Sequence, residues 1–301
     1  MPANFPISSP IRKNCASRRT ERRTDMPLGS LEGSVAVVTG AGSGIGRAMV
    51  EHYASLGMGV VAADIDGAAA DATAKAAGGE VVAMAVDVAS ADEVESLAED
   101  VYKRWGAVHL LCNNAGVFQA GLCWQRSVDD WDWTLGVNLY GIIHGIKHFV
   151  PRMLAGGEPG HVVNTSSVAG FVAAPFTGPY NVSKVAAFSM TESLAHDLAA
   201  VGAEIGASVL CPSAIRTQIA YTDRVRPGGP TNEGEDAAGV RQSLFAMTES
   251  GIDPTEVPPI VLKGIADGDF LIATKPSYRQ QIQTRFDALL DKGLPPTPVV
   301  D

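Results

Sequence analysis

From Val35 onward, short apolar runs alternate with longer stretches of helix length. The runs are Val35 to Thr39, Gly59 to Asp64, Glu80 to Val88, Val108 to Asn113, His161 to Thr165, Glu204 to Leu210 and Phe270 to Ala273. Between them lie Arg47 to Leu56, Ala91 to Trp105, Trp131 to Met153 and Tyr180 to Ala200. Strands that are apolar at consecutive positions are buried on both faces, as in a parallel sheet covered by helices. The alternation therefore predicts a doubly wound α/β domain: a seven-stranded, mostly parallel sheet with helices on both faces.

The ends of the pattern break it. Residues 1–29 carry Arg12, Lys13, Arg18, Arg19, Arg22 and Arg23 against Glu21 and Asp25, with no apolar periodicity. This reads as a disordered basic tail before a single domain over 30–301. A transit peptide is the weaker reading, because Pro2, Pro6 and Pro10 interrupt any amphipathic helix. Met26, just before the ordered pattern, is an equally good start. Farther on, the insertion at about 218–268 has Pro, Gly and charge clusters around Arg226 to Asp236, which predicts a functional lid of one or two helices.

Composition narrows the function classes. A chain of 301 residues with 46% hydrophobic and 19% charged residues can build a large core and is not of the disordered type. A net charge of −10 opposes a nucleic-acid partner, which needs a basic face. Cys15, Cys112, Cys123 and Cys211 show no C-x-x-C pair and no zinc spacing, so no metal is expected and reduced thiols in a cytoplasmic setting are. No apolar run approaches the roughly 20 residues of a membrane span. A soluble protein acting on a small molecule is the expectation.

The strand Val35 to Thr39 runs directly into Gly40-Ala41-Gly42-Ser43-Gly44-Ile45-Gly46 and then a helix. Glycine lets the backbone approach a pyrophosphate, and the helix start offers unpaired N–H groups to it. The spacing is T-G-x-x-x-G-x-G rather than G-x-G-x-x-G. A glycine turn that merely packs a helix on a strand has the same look, but Asp64 closes the second strand, where a carboxylate meets ribose hydroxyls and repels a 2′-phosphate. Ser43 in the loop and Ile65 after Asp64 give such a phosphate no cation, which favours NAD over NADP; Arg47 is the nearby cation that weakens this inference.

Tyr180 and Lys184 stand i, i+4 at a helix start and share one face. Upstream, Asn164-Thr165-Ser166-Ser167 ends a strand, where parallel sheets place ligand contacts. Together with Asp87-Val88, Asn113-Asn114-Ala115-Gly116 and Val137-Asn138-Leu139, these motifs make Leu31 to Ala273 resemble a short-chain dehydrogenase/reductase, a Rossmann-type domain. The resemblance implies that Tyr180 is the general acid/base and that Ser167 orients the substrate oxygen. It implies that Lys184 binds the nicotinamide ribose and lowers the tyrosine pKa, and that Asn138 supports a water-linked proton relay. It implies cofactor contacts at Gly40, Ser43, Gly44, Ile45, Gly46, Asp64, Ile65, Asp87, Val88, Asn114, Ala115, Gly116, Tyr180, Lys184, Pro212, Ile215 and Thr217. A homodimer or homotetramer is implied too.

One departure concerns Cys211-Pro212-Ser213, where Ser213 replaces the family glycine and is expected to reshape the loop and narrow the pocket. Candidate substrate contacts are Ser167, Ala169, Ala174, Tyr180 and Tyr221, with Gln119 and Phe245 beside them. The expected activity is NAD(H)-linked interconversion of a secondary alcohol and a ketone on an apolar substrate. An NADP-linked carbonyl reductase, or a nucleotide-binding sensor or scaffold without turnover, is the alternative.

Overall fold

Successive side chains of a strand point to opposite faces, so a strand covered on both sides must be apolar throughout. In β1 (Val35–Thr39), Ala36 and Val38 join a cluster with Met49 and Tyr53, while Val35 and Val37 join another with Val94, Leu97 and Phe149. These are the two halves of the core, one on each face of the sheet. The computed structural model of the chain describes residues 28–229 and 234–298. Most of the expected basic tail, with Met26, lies outside the described residues. Leu28, expected in that tail, is buried in the first cluster, so the domain begins at least two residues earlier than 30.

The elements in chain order are β1, α1 (Gly44–Ser55), β2 (Gly59–Asp64), α2 (Gly67–Ala77), β3 (Val81–Ala85), α3 (Ala91–Trp105), β4 (Leu110–Asn113), α4 (Val128–Leu135), α5 (Gly141–Gly156), β5 (Gly160–Thr165), α6 (Gly178–Ala200), β6 (Ile205–Cys211), α7 (Glu235–Glu249), α8 (Val257–Asp267), β7 (Leu271–Ala273) and α9 (Tyr278–Leu290). The strands lie in the order β3-β2-β1-β4-β5-β6-β7, and every pairing is parallel. The order reverses between β1 and β4. At such a switch the loops at the carboxyl ends part in opposite directions and leave a crevice.

Two sequence expectations change. The stretch Trp131 to Met153 is two helices, α4 and α5, joined by a π-helical turn at Gly136–Tyr140 with Asn138 at its centre. The insertion at 218–268 also divides. A 3₁₀ turn at Ile219–Val225 and α7 lie beside the cleft, but Val257, Val261, Leu262 and Ile265 of α8 are buried in the core, so α8 is part of the sheet's covering layer rather than of a lid.

Local chemistry sets the helix limits. Ser127 caps α4 by accepting from the Asp130 N–H at 3.1 Å, while the Asp130 carboxylate accepts from the Ser127 N–H at 3.0 Å, a reciprocal box that satisfies two orphan donors. Helix α3 opens on Ser90 with Asp92 and Glu93 in its first turn, and closes on Lys103, Arg104 and the left-handed Gly106.

Gly145 of α5 lies against the Asn113 amide, which donates to Asn164 Oδ1 at 2.8 Å. A Cβ there overlaps the Asn113 side chain. Gly145→Ala is expected to cost about 1–3 kcal/mol by overpacking, read as a lower urea midpoint with an unchanged slope of the unfolding transition.

Candidate active site

The glycine loop is held against the loop after β4 by one hydroxyl. Thr39 Oγ1 accepts from the N–H groups of Asn114 at 3.0 Å and Ala115 at 3.1 Å, and Asn114 Nδ2 donates to the Thr39 carbonyl at 3.0 Å. This closeness requires glycine at position 40: its φ is +68°, and a Cβ there would stand 2.8 Å from Ala115 Cα. Gly44 is also left-handed, at +52°, with the Thr217 methyl over it. Gly46 presses on the Gly40 carbonyl, so its part is to seat α1 rather than to face the cleft. Ser43 makes no side-chain cap at the start of α1. The first N–H groups of that helix are thus left for an anion.

Asp64 Oδ2 accepts from the Gly42 N–H at 2.8 Å and Oδ1 from the Asp66 N–H at 2.9 Å. Each oxygen keeps a further lone pair for a ribose hydroxyl. Asp87 is fixed likewise, accepting from the Ala89 N–H at 2.9 Å. All of this borders one continuous cavity of about 870 Å³, which runs from the glycine loop to Tyr180. Of the cofactor residues expected from the sequence, all but Gly46 lie on its wall. The cradle, the uncapped helix start and the two anchored carboxylates fit a dinucleotide.

At the reactive end, α6 brings Tyr180 and Lys184 onto one face, with Lys184 Nζ 5.6 Å from the Tyr180 ring centre. Lys184 is buried and donates to the Thr165 carbonyl at 3.0 Å. Burial pushes its pKa down to about 8. Burial also raises the Tyr180 phenol, and a hydrogen bond with Ser167 pulls the other way. Loss of solvent is the larger of these two influences on the phenol. Phe118 packs edge-on against Tyr180 at 5.0 Å between ring centres.

Asn138 takes a different place from the one expected. Both protons of its amide are committed, to the Val117 carbonyl and to Ser183 Oγ at 2.9 Å each, and its Oδ1 accepts from the Val117 N–H at 2.7 Å. Its side chain is wholly buried and off the cavity wall. Its side chain ties the loop after β4 to α6.

On the substrate side, Ser167, Ala169, Ala174 and Tyr180 do reach the cavity. Tyr221 does not: the backbone is non-helical there, at φ −121° and ψ 34°, and its ring packs on Phe245 at 5.3 Å away from the wall. Gln119 is buried behind the wall, accepting from Arg226 at 3.5 Å. Trp133, Val240, Leu244 and Met247 take their places. Val240, Leu244 and Met247 stand at i, i+4 and i+7 of α7, an amphipathic signal the sequence carried. Ser213 lines the cavity without strain: its N–H donates to Thr274 Oγ1 at 3.0 Å, and among the described residues only Phe176 and Lys292 are left-handed without being glycine.

The segment from Ile219 to the end of α7 is held by ion pairs. Arg226 Nη1 meets Asp130 Oδ1 at 2.6 Å, both side chains buried, and lies over the Trp133 ring at 4.9 Å. Burial works against the Asp130 carboxylate, but hydrogen bonds from Arg226 and Ser127 outweigh it and hold its pKa below the ordinary value. Arg241 pairs with Asp223 at 2.9 Å, and Arg126 with Asp236 at 3.8 Å. Among the described residues no cluster of His, Cys, Asp and Glu could hold a metal, and no helix is long and apolar enough to cross a membrane.

The buried Lys184 ammonium carries a stability signature. With a folded pKa of about 8 and an unfolded one near 10.5, the unfolded chain holds one more proton between these values, so stability gains about 1.4 kcal/mol per pH unit there. Relative to Lys184→Met, the wild type is expected to rise in urea midpoint from pH 8 to pH 10; parallel curves would contradict the assignment.

Comparison with known proteins agrees with this geometry. A family model described as short chain dehydrogenase matches residues 34–226. The "C alpha-dehydrogenase" of Sphingobium sp. (strain NBRC 103272 / SYK-6) is 33% identical over 267 residues, covering 87% of each chain. The "1-deoxy-11-beta-hydroxypentalenate dehydrogenase" of Streptomyces exfoliatus is 36% identical over 220 residues, 70% of this chain and 78% of that protein. A crystal structure of a short-chain dehydrogenase/reductase from Burkholderia phymatum, in complex with NAD, superposes with a TM-score of 0.87 at 40% identity, covering 90% of this chain and 99% of that one. With the glycine cradle, the Tyr180/Lys184 face and the parallel sheet of these proteins in one molecule, the chain belongs to the short-chain dehydrogenase/reductase family of oxidoreductases.

Proposed function

We propose that the protein is an NAD(H)-dependent dehydrogenase that interconverts a secondary alcohol and a ketone on an apolar small molecule. The carrying observation is that Tyr180, Ser167 and Lys184 share one cavity wall with the glycine loop and Asp64. NAD⁺, when bound, supplies the hydride acceptor and a positive charge beside the phenol.

The protein's own part is proton handling and orientation. Ser167 Oγ accepts from the Ala169 N–H at 3.2 Å and shares a hydrogen bond with Tyr180, so a substrate oxygen that reaches both takes over its proton. Tyr180 Oη takes the alcohol proton in oxidation and returns it in reduction. Lys184, fixed on the Thr165 carbonyl, holds a positive charge against a phenolate while protonated. Asn138 acts as a positioning residue, since its amide locks Val117 to Ser183. Asp64 favours NAD: a carboxylate that accepts from ribose hydroxyls repels a 2′-phosphate.

The reading extends to a cytoplasmic homodimer or homotetramer. Val182 and Val185 of α6 are 49% and 41% exposed, which supports burial of this face against a second copy.

Two measurements test the reaction. Tyr180→Phe is expected to lower kcat for secondary alcohols at least a thousandfold, on the order of a lost general acid/base, while NADH titration by fluorescence stays near the wild-type affinity; retained turnover refutes the role. Asp64→Ser is expected to shift the ratio of NADH to NADPH affinity by about tenfold or more towards NADPH. An unchanged ratio refutes the discrimination.

A further inference from the structure

One charge on the cleft wall has no part in the chemistry above. Among the arginines around the lid, Arg126, Arg226 and Arg241 each face a carboxylate, at 3.8, 2.6 and 2.9 Å. Arg224 does not. It lines the cavity, its recorded hydrogen bond is a 2.9 Å contact to the Tyr221 carbonyl in its own turn, and no described carboxylate stands within ion-pair distance of it. In a chain of net charge −10, an exposed arginine on a cleft wall with no described carboxylate beside it stands out.

Its surroundings define what it could meet. Trp133, Val225, Val240, Leu244 and Met247 give this part of the wall an apolar character. The backbone beneath Arg224 is fixed on both sides: Thr222 Oγ1 accepts from the Phe118 N–H at 2.8 Å, and Arg226 is locked to Asp130. A planar guanidinium presented from a pinned turn is suited to a carboxylate. Asp129, also on the wall, sits in the first turn of α4, where the positive helix end stabilises it; as a carboxylate it repels an anion, which is left to the wall's cations.

We propose that the substrate carries, remote from its reacting carbon and across an apolar body, a carboxylate or similar anionic group that Arg224 binds. This rests on the dehydrogenase reading for the reacting carbon but not for the anion. The cofactor's phosphates are the competing source of negative charge. They have their own cradle in the glycine loop and the uncapped start of α1, whereas Arg224 belongs to the segment joined to Phe118, Asp130 and Trp133.

The test uses decanoic acids bearing one ketone near, midway or far from the carboxylate, each paired with its methyl ester. Binding to the NADH-loaded protein is measured by calorimetry, independently of turnover. The wild type is expected to bind at least one acid about tenfold more tightly than its ester, the scale for a partly exposed charge-assisted pair. Arg224→Leu brings the acid-to-ester ratio close to one, and Arg224→Lys restores part of it. Absence of any acid preference in the wild type, or a ratio that Arg224→Leu leaves unchanged, overturns the proposal. So does a fall in NADH affinity matching the fall in acid affinity, which would assign Arg224 to the cofactor. An Arg224-dependent acid preference without turnover of acid or ester supports the anion site by itself, and the dehydrogenase reading stands or falls separately with the Tyr180→Phe measurement.

Discussion

The hydroxyl of Thr39 is the contact on which the site depends. It stands at the last residue of β1, and β4, its neighbour in the sheet, comes from far along the chain. By accepting the N–H groups of both Asn114 and Ala115, it draws the two carboxyl-end loops together where the strand order reverses. Those N–H groups would otherwise be orphaned beside an apolar sheet. The close approach excludes a side chain at Gly40, which leaves room for a nucleotide along the backbone. Asn114 then meets Thr165, and the Thr165 carbonyl holds Lys184, so a line of hydrogen bonds joins the phosphate end of the cleft to the proton-transfer end.

At that far end burial acts on both titratable groups. Lys184 donates to the Thr165 carbonyl, and burial loosens its proton. Tyr180 is pushed the other way by the same burial. Amine and phenol, nearly equal in proton affinity in water, are thereby drawn apart, and the ammonium becomes the readier proton donor of the two. Cys211 beneath them is no competitor, because burial raises its thiol to about 12.

The segment from Ile219 to the end of α7 follows another logic. A small apolar cluster joins it to Phe118, Ala120 and Tyr180, and the buried Arg226–Asp130 pair fastens it to α4. Such pairs gain little net stability over apolar packing but penalise misplacement strongly, because one partner alone in a dry site is costly. Asp130 shows the economy of the arrangement: one carboxylate oxygen completes the cap of α4 and the other receives Arg226. Helix start, lid and cavity wall are therefore set by a single side chain.

The sequence alone determined the elements that repeat locally: strands apolar on both faces, helices with their caps, the glycine turn, and the i, i+4 pair Tyr180 and Lys184. These are legible because each depends on neighbours within a few residues, through periodicity or backbone freedom. The motifs also placed Asp64, Asp87 and Ser167 at strand ends, and hence on one edge of a parallel sheet. What only the tertiary structure decided depends on partners distant in the chain. Asn138 spends its amide on Val117 and Ser183, Tyr221 turns to Phe245 instead of the cleft, and Arg226 finds Asp130 ninety-six residues away. No local pattern encodes such meetings, because side-chain direction and ion pairing at long range are set by how the packed layers bring the chain together. The division of the 218–268 stretch has the same cause: α8 is a core helix because the sheet needs covering beside β7, a demand that arises only once the sheet exists.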